Sequence, residues 1–441
     1  MKKYLELILF FLTLLNLFFP IIPQPVLLVV IMSGMLYRLP KCVIIFFCLT
    51  FLKDIIHAFS FLNFHISRTA FIVFAIGLFY TKDFLLQNRQ KLLNVSRPLV
   101  LVVLYLLLSC LLAGNIDVPN NKGTDLLINS VTFFVSYSYI LTYKDRISFF
   151  NVALYTSIWA LFLLQLNVIK NGYPLPGSLF DFGFYRSAVG EDMYVDLASY
   201  GISYATHYQF FGFVSAIGLA LAFTFEKLNV RQILTLLVFN VIVVGYSGAR
   251  QFLLLTFLMI GIYIFISKIK FVYKAAFFVV IGFIFSYIIF NSILSEYILE
   301  VTENGILEGS GRDLLFSTAV KLFQENPFWG VGFCGYNFYG NYNAFPHNII
   351  VEMLAELGVM GFIIVCVIFL YKNQPIKRLF SFGSQFCPFF LFILFFGRAM
   401  ISGSLADNIS FFSVMVSMSF ILKYGKLFNN NSASQSSQTT L

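Results

Sequence analysis

The sequence predicts an all-α polytopic membrane protein of 12–14 transmembrane helices. Three observations carry that reading. Of the 441 residues, 59% are hydrophobic and only 11% are charged, whereas a soluble domain is nearer a quarter charged. Mean hydropathy is +0.86. The apolar residues fall in continuous runs and not in alternation, which excludes a transmembrane β-barrel. The same figures exclude a soluble enzyme, a disordered chain and a nucleic-acid binder built on a basic patch. The net charge of +9 is therefore read as topology and not as a signal for a polyanion.

In chain order the apolar runs are 4–19, 24–37, 42–58, 66–81, 98–114, 128–143, 147–168, 207–225, 232–247, 251–267, 275–293, 347–371, 384–397 and 408–422. A span needs about 20 residues. Lys2 and Lys3 before the first run imitate a signal peptide, but no small-residue cleavage site follows, so an uncleaved first span is expected. Pro20, Pro23 and Pro25 interrupt the stretch 4–37, and Arg398 interrupts 384–422; these interruptions set the range of 12 to 14. Two connections are long, 169–206 and 294–346. Residues 1–428 are expected to form the transmembrane domain. Residues 429–441 are polar and of low complexity, the composition of a disordered cytoplasmic tail. The six cysteines show no CxxC spacing, so neither a disulfide framework nor a zinc site is implied.

Lysine and arginine set the orientation. With a cytoplasmic N-terminus, alternate connections receive Lys2, Lys3, Arg38, Lys41, Lys82, Arg89, Lys91, Arg97, Lys144, Arg146, Lys227, Arg231, Lys268, Lys270, Lys274, Lys372, Lys377, Arg378, Lys423 and Lys426, which is 20 of the 29 basic residues. The opposite side receives Lys122, Lys170, Arg186, Arg250, Arg312, Lys321 and Arg398. Both long loops then face outward and both termini lie in the cytoplasm. An arginine kept on the side poor in basic residues is not explained by topology, and its planar fork suits phosphate oxygens.

The outward stretch 310–325, SGRDLLFSTAVKLFQE, reads as a short amphipathic helix. Ser310 and Asp313 fit a capping box, and Leu314, Leu315, Ala319, Leu322 and Phe323 recur at helical spacing. Asn326 and Pro327 end it. Arg312 falls in the first turn, where free N–H groups and the helix dipole favour an anion; an interfacial helix with a snorkelling arginine accounts for the same residues. Gly330, Gly332 and Gly335 follow without a preceding strand, so a tight turn beside Trp329 is expected and not a dinucleotide loop. His347 stands at the mouth of run 347–371, where imidazole can take a proton from an attacking hydroxyl; an interfacial histidine satisfied by water is the other reading. His347 and Gly358 are eleven residues apart, as are Arg250 and Gly261, and eleven residues make about three helical turns, so each pair is expected on one helix face. In loop 169–206, Phe182, Phe184, Tyr185, Tyr194 and Tyr200 suit either sugar stacking or anchoring at the interface. Its acids show no paired spacing for a metal.

The string Gly311-Arg312-Asp313, Asn326-Pro327, Gly330, Gly332, His347-Asn348, Glu352 and Ala355-Glu356-Leu357-Gly358 to Gly361, with Ser247-Gly248-Ala249-Arg250 before it, resembles the O-antigen ligase/polymerase family of bacterial membrane glycosyltransferases. The motif-bearing region is 245–362. Gln251 departs from the small residue common after that arginine, which bears on the role of Arg250. The resemblance implies a GT-C-like, metal-independent enzyme of the inner membrane that needs no cofactor and works on the periplasmic face. Donor and acceptor would be undecaprenyl-diphosphate-linked glycans, with a chain-length regulator as a further partner. His347 would activate the acceptor hydroxyl. Arg312 and Arg250, with Arg186 and Arg398 as further candidates, would hold the diphosphate. Spacing of the Arg250/Gly261 and His347/Gly358 kind is similar to that of O-antigen polymerases. The alternatives are an O-antigen ligase that moves glycan to lipid A-core, and a flippase or other transporter. A transporter is expected to carry mid-span charges and inverted repeats, of which only the adjacent Lys53 and Asp54 are present.

Overall fold

The computed structural model describes residues 4–58, 79–115, 122–177, 181, 183–185, 208–267, 269–291, 312–340, 345–370, 379, 387–401 and 403–436. Among them there is no strand. The helices are α1 (Leu5–Phe18), α2 (Gln24–Arg38), α3 (Lys41–Ala58), α4 (Arg89–Leu112), α5 (Lys122–Thr142), α6 (Phe149–Asn171), α7 (Tyr208–Phe225), α8 (Val230–Ser247), α9 (Arg250–Ile266), α10 (Phe271–Asn291), α11 (Arg312–Glu325), α12 (Gly335–Gly340), α13 (Ile349–Leu370), α14 (Phe389–Ile401) and α15 (Leu405–Ser436). Continuous apolar sequence becomes helix because a helix satisfies its own N–H and C=O groups where no water reaches them. Among the described residues, five helices are long and apolar enough to cross a membrane, lying at Arg89–Leu112, Phe149–Ile169, Val230–Ser247, Ile349–Leu370 and Leu405–Tyr424. Leu5–Phe18, Gln24–Arg38, Gln209–Phe225, Gln251–Ile266 and Phe389–Ile401 are shorter apolar helices. The protein is an all-α polytopic membrane protein.

The prolines separate α1 from α2 as expected. Pro25 lies in the first turn of α2, where its missing N–H costs nothing. Asn16 closes the corner, accepting from the Ile22 N–H at 2.7 Å and donating to the Ile22 carbonyl at 3.0 Å. Helix α6 is the centre of the bundle, packed by α1, α2, α3, α7 and α8. Gly218 lets α7 approach it: a Cβ there would collide with the Thr156 hydroxyl. Ser157, Ser215 and Asn240 then join α6, α7 and α8 through hydroxyl and amide contacts of 2.9 Å. Helix α15 lies along α5 and also touches α4, α13 and α14. It continues to Ser436, into the polar segment for which disorder was expected. No Gly or Pro follows Gly425 to stop it, and adding residues to a formed helix is far easier than starting one. Run 66–81 falls mostly outside the described residues.

Polar contacts sort the helix ends into two sets. At one end Glu6 of α1 pairs with Arg38 of α2 at 2.6 Å, Glu226 after α7 accepts from Phe149 and Phe150 at the start of α6, and the Cys387 N–H donates to Thr224. At the other end the close of α4 meets the loop after α11, the start of α5 meets α13, and the start of α13 meets the end of α14. Those latter termini are the ones the lysine and arginine pattern assigns to the outward side.

Candidate functional site

Helix α13 is broken at Gly358, whose φ of 65° and ψ of −175° lie outside the helical region, in a conformation essentially confined to glycine. The break releases backbone groups on both sides, and the segment after α11 takes them up. Val331 and Gly332 donate to the carbonyls of Ala355 and Glu356 at 3.1 and 2.7 Å. Val359 and Met360 donate to the carbonyls of Pro327 and Phe328 at 2.8 and 3.1 Å. The approach requires glycine on both sides. A Cβ on Gly358 would land on the Phe328 carbonyl, and one on Gly330 would land on the carbonyl of Glu356. Gly330 and Gly332 also have positive φ, 66° and 81°. The glycine-rich turn expected after Pro327 is thus the counterpart of the break in α13.

A buried ionic cluster lies behind this junction. Lys122, at the start of α5, places Nζ 2.7 Å from both Glu352 Oε1 and Glu356 Oε1, and all three side chains are almost wholly buried. The second oxygen of Glu352 accepts from the Leu405 N–H at 2.8 Å, which caps the start of α15. Glu356 accepts from the Tyr336 N–H at 3.4 Å, and Lys122 also reaches Asn337 at 3.4 Å. One ammonium between two carboxylates fixes α5, α12, α13 and α15 to one point. A carboxylate in an apolar interior is stable only when paired and hydrogen-bonded, and these partners come from four separate elements.

The sequence-predicted residues gather on this same end. Asn348 is the N-cap of α13: its Oδ1 accepts from Ile350 and Val351 at 3.1 Å each, and its Nδ2 donates to Met400 of α14 at 3.4 Å. His347 precedes the cap with φ 53° and its ring meets Phe345 edge-on at 4.9 Å. It therefore does not share a helix face with Gly358 as expected, since the helix begins after one residue and breaks at the other. Arg398 stands one turn before the end of α14, with its guanidinium 4.1 Å from the Phe213 ring in the first turns of α7. Beside Phe213, Gly212 packs against Ala249 and Phe252 on either side of Arg250, so the first turn of α9 adjoins the same part of α7. Tyr185, the residue before Arg186, is buried against Phe211 at 5.2 Å. Arg186 itself lies outside the described residues. The stretches carrying Arg250, Arg398 and the approach to Arg186 thus meet around residues 211–213, and the stretch carrying His347 joins them through the end of α14.

Arg312 opens α11 as predicted. The last residues of α11 lead to the Gly358 junction, while Ala319 and Leu322 pack with Val351 and Ala355. Helix α11 therefore runs back along the first half of α13, and its first turn lies toward the end that carries His347. The Ser310–Asp313 capping box falls outside the described residues and side chains.

Lys122 enters the sequence reading only through topology, and Glu352 and Glu356 only through the resemblance, with no part in the site assigned to them, although two acids four residues apart in an apolar run are a visible signal, since such groups are costly there. Asn115 was also missed. Its Nδ2 donates to the carbonyls of Val331 and Phe333 at 2.9 and 3.2 Å, tying the end of α4 to the loop.

Residues 233–366 match the family model described as O-antigen ligase. No curated protein matches the chain. The matched segment runs from α8 into the second half of α13 and holds Arg250, Arg312, His347, both buried glutamates and Gly358. Lys122, Asn115 and Arg398, which brace or face that segment, come from outside it. The break and its docked loop lie within the segment that is similar to the O-antigen ligase family, and the chain that carries this segment is a multi-pass membrane protein.

Proposed function

We propose that this protein is a metal-independent glycosyltransferase that polymerises undecaprenyl-diphosphate-linked oligosaccharide repeat units into O-antigen-type polysaccharide on the periplasmic face of the inner membrane, with both termini in the cytoplasm. The observation that carries the reading is the gathering, at one end of the bundle, of the stretches bearing Arg250, Arg398 and His347, with the approach to Arg186 beside them. The matched family model supports the reaction class. A hydroxyl of the acceptor glycan attacks the anomeric carbon of the donor, the C–O bond to the diphosphate breaks, and the lipid diphosphate leaves with the electron pair. His347 takes the hydroxyl proton. Arg250 and Arg312, assisted by Arg186 and Arg398, hold the charge that develops on the leaving group. Preorganised cations in a site of low dielectric lower such a barrier without a metal. A left-handed backbone at a non-glycine residue is tolerated where the surroundings fix it and is concentrated at working sites, which supports His347 in this role.

The test is chemical. Purified protein in detergent is expected to join lipid-linked repeat units, and His347→Ala is expected to remain in the membrane but make no long chains. Unchanged chain length in that variant removes His347 from the mechanism. The second reading, transfer of finished glycan to lipid A-core, is favoured by the description of the matched model as a ligase. A deletion strain separates the two. Loss of a polymerase leaves a core bearing one repeat unit, whereas loss of a ligase leaves a bare core and accumulates lipid-linked polymer. A transporter would alter neither bond and would show no joining in detergent.

A further inference from the structure

We propose that Cys110 and Cys334 are joined by a disulfide in the mature protein, fastening the end of α4 to the loop that docks on the break in α13. Their surroundings bring the two cysteines together from 224 residues apart in sequence. Ser109, beside Cys110, accepts from the Phe333 N–H at 3.2 Å through its hydroxyl. Asn115 donates to the Phe333 carbonyl at 3.2 Å, and its own carbonyl accepts from the Cys110 thiol at 3.4 Å. The two sulfurs lie close enough for each to act on the other electrostatically. Cys334 is one of two non-glycine residues with positive φ among the described residues, at 69°; the other is His347. Such a conformation is held by its surroundings and not chosen by the residue, so the geometry that presents Cys334 to Cys110 is imposed by the fold.

Both cysteines lie at the end of the bundle that the proposed orientation places in the periplasm, an oxidising compartment in which disulfides persist. The inference rests on that orientation. Cys110 is only half-buried, so its sulfur is the one an exchange partner reaches. The chemistry is thiol–disulfide exchange with a protein dithiol oxidant in its disulfide form. The Cys110 thiolate attacks one sulfur of that disulfide and gives a mixed disulfide, releasing the oxidant's first thiol. The Cys334 thiolate then attacks the Cys110 sulfur and releases the second. The protein loses two protons and two electrons, and the oxidant gains both as two thiols.

The test uses the full-length protein in membranes. Free thiols are blocked with N-ethylmaleimide under denaturing conditions, the sample is reduced, and new thiols are labelled with a second maleimide before peptide mass spectrometry. Peptides holding Cys110 and Cys334 are expected to carry the second label, and those holding Cys42, Cys366 and Cys387 the first. In Cys334→Ser, Cys110 is expected to move to the first label. If both cysteines of the wild type take the first label, the disulfide does not exist. In a cysteine-free background, Tyr339→Cys, at an exposed position of α12 directly after the loop, is treated in intact cells with a membrane-impermeant maleimide. Labelling there together with free Cys110 and Cys334 overturns the disulfide alone. Failure to label with Tyr339→Cys protein present in the membrane places the loop in the cytoplasm and overturns both the disulfide and the proposed orientation.

Discussion

Helices α6 and α13 are both long and apolar, yet they meet the demands of a buried backbone in opposite ways. Helix α6 is self-sufficient. Ser148 caps its start and Gly172, with φ 66°, caps its end, and its hydroxyls bond back to carbonyls three or four residues earlier. Its polar residues serve to fit neighbours, as Ser157 does with Ser215. Helix α13 is incomplete alone. Its backbone is interrupted at Gly358, its two carboxylates need Lys122 from α5, and its cap reaches α14. The difference separates a scaffold helix from one whose shape depends on distant parts of the chain. The residues proposed for chemistry sit with the second kind.

The largest expected effect tests that dependence. Lys122→Met leaves two carboxylates buried without their cation, and removing one partner of a buried ion pair costs about 3–5 kcal/mol. The thermal midpoint in detergent should fall sharply. Adding Glu352→Gln and Glu356→Gln to Lys122→Met should recover much of the loss, because neutral groups need no counter-charge. A Lys122→Met protein as stable as wild type would mean that the cluster does not hold α13 in place.

Glycine substitutions compare the two helices directly. Gly358→Ala combines a backbone conformation that alanine avoids with a collision against the Phe328 carbonyl, a cost of about 3 kcal/mol from strain and overlap. Gly218→Ala presses a methyl group onto Thr156 and the Ala153 backbone and should cost about 1–3 kcal/mol by overpacking. Both variants lose stability, but only Gly358→Ala should expose residues 326–340 to limited proteolysis below the unfolding temperature. Equal protease resistance in the two would show that the loop does not depend on the break.

The contrast also marks what the sequence reveals. Helix positions were legible because apolar runs report the medium, and Pro20, Pro23, Asn326 and Pro327 announce their own interruptions. The amphipathic stretch after Arg312 was legible for the same reason. The break at Gly358 was not, because run 347–371 contains no proline and hydropathy carries no record of φ. Glu352 and Glu356 were visible as letters, but their cation lies 230 residues away from the nearer of them, and sequence spacing does not report a contact across the bundle. Arg250, Arg398 and His347 could be nominated from the side of the membrane to which the lysine and arginine pattern assigns them. That the stretches of Arg250 and Arg398 meet at Gly212 and Phe213, with the start of α13 held against the end of α14, depends on packing that no local pattern encodes.

The smallest effect is the most discriminating, because it holds the stability cost nearly constant. Ser148 and Asn348 occupy the same position at the start of α6 and α13, and each accepts from N–H groups of the first turn. Losing an N-cap costs about 1 kcal/mol, and for Ser148→Ala the cost should be at the low end because Glu226 accepts from Phe149 and Phe150 at the same helix start. Neither variant should leave the membrane. Asn348 also donates to the Met400 carbonyl, two residues from Arg398, and directly follows His347 in its left-handed turn. Asn348→Ala should therefore lower the rate of glycan joining at least tenfold, while Ser148→Ala leaves it near wild type. Asn348→Asp, which keeps the cap acceptors but loses the amide donor, should restore stability and only part of the rate. If Asn348→Ala matches Ser148→Ala in both stability and rate, the start of α13 is a helix cap and nothing more, and His347 is not positioned through it.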